Sequence, residues 1–314
     1  MLNAMNEKNK KAFGVFLAAL SVFFWGITFV CTKYLLKDFS ALEILFWRFV
    51  AAYAGLWLIR PKWEKIEARD NALFALAGLS GVVLYQLSEN IAIHFTNASN
   101  VSVIVSICPL FAAIASQMFL RERHLSIYFV VGFVISIVGV ALVCFNGSSA
   151  LKFNPVGDLL ALFSAVCWGF YSMFVSMLNK KNYNPICMTR RTFFFAVLFM
   201  IPLAFFGAGR MSAGGFLQSL CFSLEPAVNA ARFSKPLNWL NLLFLGIVAS
   251  GLCFAFWNES CKILGTVKVS CGLYLIPLVT AAFAFFALGE RVTLLGGIGA
   301  AVTIAGLFIS ERGA

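Results

Sequence analysis

Ten long apolar stretches, most of them separated by only a few residues, run through this 314-residue sequence. A helix that spans a membrane needs about 20 largely apolar residues, and each stretch is close to that length. The predicted spans are 14–36, 42–59, 71–93, 99–119, 126–145, 156–178, 186–206, 237–258, 265–288 and 293–310. Because most connections are short, consecutive helices should run antiparallel. The sequence therefore predicts an all-α membrane protein with ten transmembrane helices.

Charged residues make up only 12% of the sequence, against roughly 25% in an ordinary soluble domain. The net charge is +11, but the lysines and arginines lie in short gaps between apolar stretches and form no basic stripe. This placement indicates membrane orientation rather than nucleic-acid binding. The larger share of these residues falls on the side that holds the N-terminus. We therefore expect a multi-pass protein of a bacterial inner (plasma) membrane, with both termini cytoplasmic.

Matching residues recur in the same order in the two halves of the chain. The matched pairs include Trp25-Gly26 and Trp168-Gly169, Arg48 and Arg191, Asn90 and Asn258, Ser102 and Ser270, and Pro109 and Pro277. Their spacing increases once, as extra length in the connection 207–236 would produce. Each repeat holds five helices, an odd number, so the second copy should start on the opposite side of the membrane. We therefore predict two inverted five-helix repeats, 14–145 and 156–310.

Three motifs carry a resemblance to a known family. They are the Trp-Gly in the first helix of each half, Phe46-Trp47-Arg48-Phe49 in the second helix, and the helix endings Leu120-Arg121-Glu122-Arg123 and Leu288-Gly289-Glu290-Arg291. With these motifs the chain resembles the EamA group of the drug/metabolite transporter superfamily over 14–310. The resemblance implies a ten-helix carrier of two repeats, often an exporter of amino acids or related metabolites. Arg121 replaces the glycine of the family pattern, a departure that concerns helix packing.

Polar and aromatic residues form a stripe along the first helix and again along the sixth. The stripes are Ser21, Trp25, Thr28 and Thr32 in the first helix and Ser164, Trp168, Tyr171 and Ser172 in the sixth. Helical spacing places each set on one face, which should point away from lipid. The stripes indicate either the wall of a solute cavity or contacts between packed helices.

Proline interrupts the fourth and ninth helices at matching positions, Pro109 and Pro277, and hydroxyl residues such as Ser106 and Tyr274 precede them. Proline removes one backbone donor and frees a carbonyl about one turn earlier. Such a site can flex or expose backbone polarity to a cavity. We interpret both prolines as gating or kink positions, with a static kink as the alternative.

Glu89 is the ionisable residue that most strongly indicates a function within a predicted span. A charged side chain costs about 2.5–3.5 kcal/mol at a helix centre, so it requires a partner or water. Glu89 follows Tyr85 by one helical turn and precedes Asn90, the repeat mate of Asn258. It is a counter-charge for a substrate amine, a proton carrier or, because the predicted span ends near 93, a residue at the rim.

The other ionisable residues near the spans are interpreted as structural. Arg48 and its repeat mate Arg191 lie near the starts of their helices, where they can bind helix-end carbonyls or lipid headgroups. Glu43 lies close in sequence to Arg48 and is expected to pair with it or with Lys33.

Other protein classes fit the sequence less well. Gly78-Leu79-Ser80-Gly81 looks like the Gly-x-Ser-Gly of rhomboid proteases, but the nearest histidine, His94, lies roughly 21 Å along the same helix at 1.5 Å per residue. The sequence lacks a Walker motif, a metal-binding cluster and the rings of like charge typical of a channel. We therefore expect no enzyme activity, no metal and no cofactor.

The resulting hypothesis is a secondary transporter that exports amino acids or related small organic metabolites by alternating access. Efflux of amphipathic cations, with Glu89 as the recognition charge, is the alternative within this class, and an intramembrane enzyme is the alternative outside it. The expected partners are a small solute and the lipid bilayer; proton coupling and the choice between monomer and homodimer are left open. The predicted substrate-binding residues are Trp25, Thr28, Tyr85, Glu89, Asn90, Ser106, Trp168, Tyr171, Asn258 and Tyr274.

Overall fold

The computed structural model describes residues 6–95, 98–122, 124–144, 154–208, 216–288 and 294–312 of the chain. In these ranges the regular structure is helical, and the one β feature is an isolated bridge between Ala208 and Phe222. Eight of the described helices are long and apolar enough to cross a membrane, and two further apolar helices are shorter. The all-α membrane class is confirmed, whereas the count of ten spans stays a prediction. Arg123 and Gly289-Glu290-Arg291 of the two helix-ending motifs lie outside the described residues.

The long helices follow the predicted apolar stretches in order. They are α1 Glu7–Leu35, α2 Ala41–Ile59, α3 Ala68–Phe95, α4 Val101–Leu120, α5 Ile127–Cys144, α6 Pro155–Asn179, α7 Pro185–Gly207, α8 Pro236–Leu264, α9 Thr266–Phe283 and α10 Leu294–Glu311. The helix α1 begins before its apolar stretch, in a polar turn that starts at Glu7. Two short helices, Phe216–Ser219 and Pro226–Phe233, lie in the connection between α7 and α8.

The starts of several helices are determined by residues that satisfy free backbone N–H groups. Ser40 and Glu43 form a reciprocal capping box at the start of α2. Asn154 and Asn184 each accept a hydrogen bond from the first turn of α6 and α7, and a proline occupies the first position of both helices. These local signals explain why the predicted starts of α2, α6 and α7 agree with the structure to within a residue.

Several spans depart from regular α-helical geometry at matching positions of the two halves. The helix α3 contains a π-helical segment at Leu79–Leu84, and α8 contains one at Phe244–Leu252. The α-helical pattern is broken in α4 shortly before Pro109, and a 3₁₀ turn at Gly272–Leu275 precedes Pro277 in α9. The breaks in α4 and α9 lie beside the prolines, whereas the two π-helical segments contain no proline. A gating role for the prolines stays a prediction.

The helix contacts come in pairs that correspond when α1–α5 are matched to α6–α10. The helix α1 packs on α8 and α9, as α6 packs on α3 and α4. Likewise α2 packs on α8, as α7 packs on α3. The remaining major contacts join repeat mates directly, α2 with α7 and α5 with α10.

The repeat mates that touch run in opposite directions. Between α2 and α7, the Phe49 and Phe193 rings lie 4.9 Å apart, and Trp57, two turns later on α2, lies 3.7 Å from the Arg190 guanidinium, which precedes Phe193 on α7. Between α5 and α10, Gly132 lies against Ser310, whereas Gly139 lies against the earlier Thr303. In both pairs, moving forward along one helix means moving backward along the other.

Two glycines let the π-helical segments approach their neighbours closely. A Cβ atom on Gly78 of α3 would lie 2.7 Å from the carbonyl oxygen of Thr192 on α7. A Cβ atom on Gly246 of α8 would lie 2.9 Å from the carbonyl oxygen of Arg48 on α2. Small residues at such crossings allow helix backbones to pack directly. Gly78 and Gly246 are also repeat mates in the predicted alignment.

An ion pair between Glu43 and Arg232 anchors the long connection between α7 and α8 to the start of α2. Arg232 donates from Nη1 to Oε2 of Glu43 at 2.9 Å and from Nη2 to Oε1 at 2.8 Å. The same carboxylate accepts from the backbone N–H groups of Ser40 and Ser223. The prediction that Glu43 pairs with Arg48 or Lys33 is wrong. Its partner is Arg232, which lies in the short helix Pro226–Phe233 and is far from Glu43 in sequence.

The opposite end of α2 is held by a second set of contacts. Arg190 of α7 donates to the carbonyl oxygens of Arg60 and Lys62 at 2.7 and 2.5 Å. Nearby, the Tyr183 hydroxyl donates to a carboxylate oxygen of Asp70 at 2.7 Å. Because α2 has the Glu43 contact at its start and the Arg190 contact at its end, the two halves are tied together at both ends of the bundle.

Candidate substrate site

The stripes of α1 and α6 meet in an aromatic cluster between the two halves. The repeat mates Trp25 and Trp168 lie with ring centroids 5.4 Å apart and planes nearly perpendicular. Trp257 of α8 lies 4.9 Å from Trp25, Tyr85 of α3 lies 4.9 Å from Trp168, and Tyr171 lies 5.0 Å from Trp168. All five side chains are buried. The contact of Trp25 with its own repeat mate places the cluster at the junction of the predicted repeats.

A small cavity adjoins this cluster. Its lining combines aromatic, polar and charged side chains from α1, α2, α3, α4, α6 and α9, namely Trp25, Thr28, Phe29, Arg48, Tyr85, Gln86, Glu89, Val105, Trp168, Leu273 and Ile276. The volume is about 20 Å³, roughly the space of one water molecule. Five of the predicted binding residues, Trp25, Thr28, Tyr85, Glu89 and Trp168, lie in this lining. The conformation is closed, so an organic solute requires the helices to separate.

The two tryptophans differ in their hydrogen bonds. The Trp25 indole N–H donates to the carbonyl oxygen of Ala249 at 2.8 Å, in the π-helical segment of α8. The Thr28 hydroxyl donates to the carbonyl oxygen of Trp25 at 2.7 Å. The Trp168 indole N–H is buried and has no hydrogen-bond partner among the described residues. A buried donor without a partner is costly, so a ligand acceptor beside Trp168 would remove a penalty.

Two unlike charges lie in the cavity lining. Arg48 is 1% exposed, and it donates from Nε to Ser250 Oγ at 2.5 Å and from Nη1 to Gln86 Oε1 at 2.8 Å. Glu89 is 4% exposed and interacts with the Tyr85 hydroxyl and, through space, with Arg48. The helix α3 continues to Phe95, so Glu89 lies more than one turn before its end, and the role of Glu89 stays a prediction.

Arg48 is the residue that sequence reasoning assigned to the wrong environment. The sequence predicts a position at a helix end or among headgroups, as for its mate Arg191, but its partners Ser250 and Gln86 lie on α8 and α3 inside the bundle. Arg191 does lie near the start of α7 and donates to Asn71 at 2.9 Å. One sequence signal could have identified Arg48 as a site residue. A charged side chain within an apolar span is costly, and this is the same argument that identified Glu89.

The other five predicted binding residues lie outside the cavity lining. Tyr171 and Asn258 are just behind Trp168, where the Tyr171 hydroxyl donates to Asn258 Oδ1 at 3.2 Å. Asn90 donates to the carbonyl oxygen of Ala41 and so joins α3 to α2. Ser106 donates within its own helix, to Val103. Tyr274 packs in a separate cluster with residues such as Phe129 and Cys271.

A larger cavity lies away from the aromatic cluster, at the Glu43 corner. Its volume is about 190 Å³, and it is lined by the α1–α2 connection, by His94 and by residues from Gln218 to Arg232. It contains none of the predicted binding residues. Its charged lining residues Glu43 and Arg232 pair with each other, so these two charges already have partners within the protein.

Other chemistries find little support in the described part of the chain. It contains no group of three or more His, Cys, Asp and Glu side chains placed to hold a metal ion. Ser80, the serine of the rhomboid-like motif, donates its hydroxyl to the carbonyl oxygen of Leu76 in its own helix.

A bundle of apolar membrane helices with a polar and aromatic cavity between its halves is typical of membrane transporters. The chain belongs to the EamA-like transporter family, whose model matches residues 12–145 and 155–311. The resemblance found in the sequence motifs is thereby confirmed. Membership indicates a transporter.

Relatives of similar length cover nearly the whole chain. A protein named probable terminal-alkyne amino-acid exporter, from Streptantibioticus cattleyicolor, is 24% identical over 95% of this chain and 93% of its own length. A probable amino-acid metabolite efflux pump of Salmonella typhimurium is 25% identical over 95% and 94%. An uncharacterized transporter of Archaeoglobus fulgidus is 26% identical over 94% and 96%.

A solved crystal structure has the same fold. It superposes with a TM-score of 0.70 and covers 95% of this chain and 96% of its own. The sequence identity is 16%, so this similarity concerns the fold alone.

Proposed function

We propose that this protein is a secondary transporter that exports amino acids or related small organic metabolites by alternating access between two inverted five-helix repeats, 14–145 and 156–310. The observation that carries the proposal is the closed cavity beside Trp25 and Trp168, repeat mates that meet where the halves join. The antiparallel contacts of α2 with α7 and of α5 with α10 support the inverted arrangement. The names of two relatives support the substrate class.

The ties at the two ends of α2 suggest how the cavity opens. In the proposed cycle, one state releases the Glu43–Arg232 pair and the other releases the Arg190 contacts with the α2–α3 connection. Exchanging the conformations of two similar halves moves the opening from one side of the membrane to the other. With cytoplasmic termini, which the lysine and arginine distribution favours, the Glu43 corner would face the outer side of the inner membrane.

Transport into proteoliposomes tests the function directly. We expect purified protein to exchange radiolabelled L-amino acids across the vesicle membrane, and Trp168→Ala to reduce the initial rate by about tenfold or more, because the cavity loses an indole ring of its lining. Tyr274→Ala is the comparison, since Tyr274 is also a buried aromatic but lies in a separate cluster. Equal loss in the two variants would remove the site assignment, and lack of transport for every amino acid tested would remove the substrate class.

Efflux of amphipathic cations is the second candidate, and the buried Glu89 beside aromatic walls favours it. The same vesicles loaded with a fluorescent lipophilic cation test this candidate. Glu89 is also the candidate proton carrier. A pH dependence of transport that is unchanged in Glu89→Gln would exclude Glu89 from that role.

A further inference from the structure

The lining of the aromatic cavity contains one positive and one negative side chain. Arg48 from α2 and Glu89 from α3 both line it, and both are almost completely buried. The six ion pairs within 4.0 Å among the described residues include neither of them. The cavity therefore contains a positive and a negative group that are close to each other but not directly paired.

We propose that the cavity recognises a zwitterion, with Arg48 binding the carboxylate of an amino acid and Glu89 binding its ammonium group. The inference rests on the proposed function and narrows it, because it requires both charged groups on one substrate. It also assigns Arg48 as a residue that determines specificity.

The spacing of the two poles suits a small molecule. Gln86 and Glu89 are three residues apart on α3, and residues at this spacing are neighbours on one helix face, about 5–6 Å apart at Cβ. Arg48 reaches Gln86 with Nη1 at 2.8 Å, so its guanidinium lies about one helical turn from Glu89. Ser250 holds Nε from the other side. A planar guanidinium fixed by two neutral acceptors is well suited to bind a carboxylate.

An unpaired donor on a residue of the cavity lining favours a ligand that carries a hydrogen-bond acceptor. The buried Trp168 N–H lacks a hydrogen-bond partner among the described residues, whereas the Trp25 N–H is already bound to Ala249. A carboxylate offers about four acceptor sites. It could therefore satisfy Trp168 and Arg48 together, which an amine or a hydrocarbon could not do.

Electrostatics distinguish a zwitterion from the amphipathic cation of the second candidate. Burying a charge in the membrane interior requires a counter-charge. A cation would compensate the charge of Glu89 but would add positive charge beside Arg48. A simple carboxylate would compensate the charge of Arg48 but would add negative charge beside Glu89. A zwitterion satisfies both groups and is itself neutral overall. Its side chain would contact the apolar part of the lining, which includes Phe29, Leu273 and Ile276.

Competition against a labelled amino acid separates these possibilities. The labelled probe is L-phenylalanine or, if its transport is weaker, L-leucine, in proteoliposome counterflow. The competitors are the matching amine without the carboxylate, phenethylamine or isoamylamine, and the matching acid without the amine, 3-phenylpropionate or 4-methylpentanoate. For wild type we expect half-inhibition by either single-charge analogue to require a concentration at least tenfold higher than the unlabelled amino acid.

The two charge variants should lose this selectivity in opposite ways. Arg48→Gln should bring the amine to within about threefold of the amino acid while the acid stays weak, because the variant no longer reads the carboxylate. Glu89→Gln should bring inhibition by the acid to within about threefold of the amino acid while the amine stays weak. Arg48→Lys, which keeps the positive charge, should retain part of the preference for the amino acid over the amine. The matched controls are Arg191→Gln and Glu259→Gln, whose side chains lie outside the cavity lining.

The outcomes distinguish the inference from the proposed function. If amino acids are transported but Arg48→Gln still rejects the amine as strongly as wild type does, the zwitterion assignment is wrong and the transport function stands. If wild type transports neither these probes nor any other amino acid, the substrate class of the proposed function fails, and the inference fails with it. Should Arg48→Gln not fold, as judged by gel filtration, the charge-neutral double variant Arg48→Gln/Glu89→Gln replaces it. Unchanged rejection of both analogues by that variant also overturns the inference.

Discussion

The ion pair between Glu43 and Arg232 should dominate the stability of the corner that it holds. The two side chains are only 3% and 7% exposed and are joined by two parallel hydrogen bonds. Replacing Arg232 by Gln leaves the Glu43 carboxylate buried without its counter-charge, a change that typically costs about 3–5 kcal/mol. Because the N–H groups of Ser40 and Ser223 still donate to that carboxylate, we expect the lower end, about 3 kcal/mol.

A double-mutant cycle with Glu43→Gln measures the pair itself. Once the carboxylate is gone, Arg232→Gln should cost much less, so the coupling free energy should reach about 2 kcal/mol. The assay is unfolding of the detergent-solubilised protein by SDS, followed by tryptophan fluorescence. Lys235→Gln is the matched control, because Lys235 pairs with Asp38 while 52% exposed, where an ion pair contributes about 0–1 kcal/mol.

The cycle also has a clear refuting result. A loss in Arg232→Gln no larger than in Lys235→Gln would contradict the buried pair. Additive effects of the Glu43 and Arg232 substitutions would show that the two side chains do not interact in the folded protein.

Two further predictions concern acid and helix packing. Hydrogen bonds from Lys235 and Asn238 hold the pKa of Asp38 below its ordinary value of 3.8, so its stabilising contribution is complete above that pH and is lost as the pH falls further. The melting temperature should therefore fall further on acidification in wild type than in Asp38→Asn, which keeps only the acid loss of the other carboxylates. In α10, a Cβ atom on Gly306 would collide with the α5 backbone, whereas Gly297 has nothing within 4 Å. Gly306→Leu should therefore destabilise by about 1–3 kcal/mol and Gly297→Leu by less than about 0.5 kcal/mol, and equal melting temperatures would contradict this packing.

The helical framework could be predicted from the sequence because lipid leaves the backbone few choices. A chain in hydrocarbon must satisfy its N–H and C=O groups internally, so a long apolar stretch becomes a helix. The predicted spans 42–59 and 186–206 accordingly match Ala41–Ile59 and Pro185–Gly207. The π-helical segment Leu79–Leu84 was not predictable, because it accompanies a close crossing with α7 that hydropathy does not encode.

The candidate site was predictable in part, for a related reason. Trp25 and Trp168 stood out because each lies on a polar stripe of an apolar helix, and Glu89 because a buried charge is costly. The same patterns also selected Asn90 and Tyr274, which the structure places at a helix contact and in a separate cluster. A pattern along one helix indicates which face avoids lipid, but it does not tell a cavity from a packed neighbour.

By itself, then, the sequence determined the membrane class, the order of the helices and the faces that turn away from lipid, because these depend on local hydropathy and helical spacing. Only the tertiary structure decided which polar residues meet. Arg48 lies at the cavity because Ser250 and Gln86 reach it from two other helices, and Glu43 pairs with Arg232 across the bundle. Such partners are far apart along the chain, and the packing that brings them together depends on side-chain shape over many helices at once.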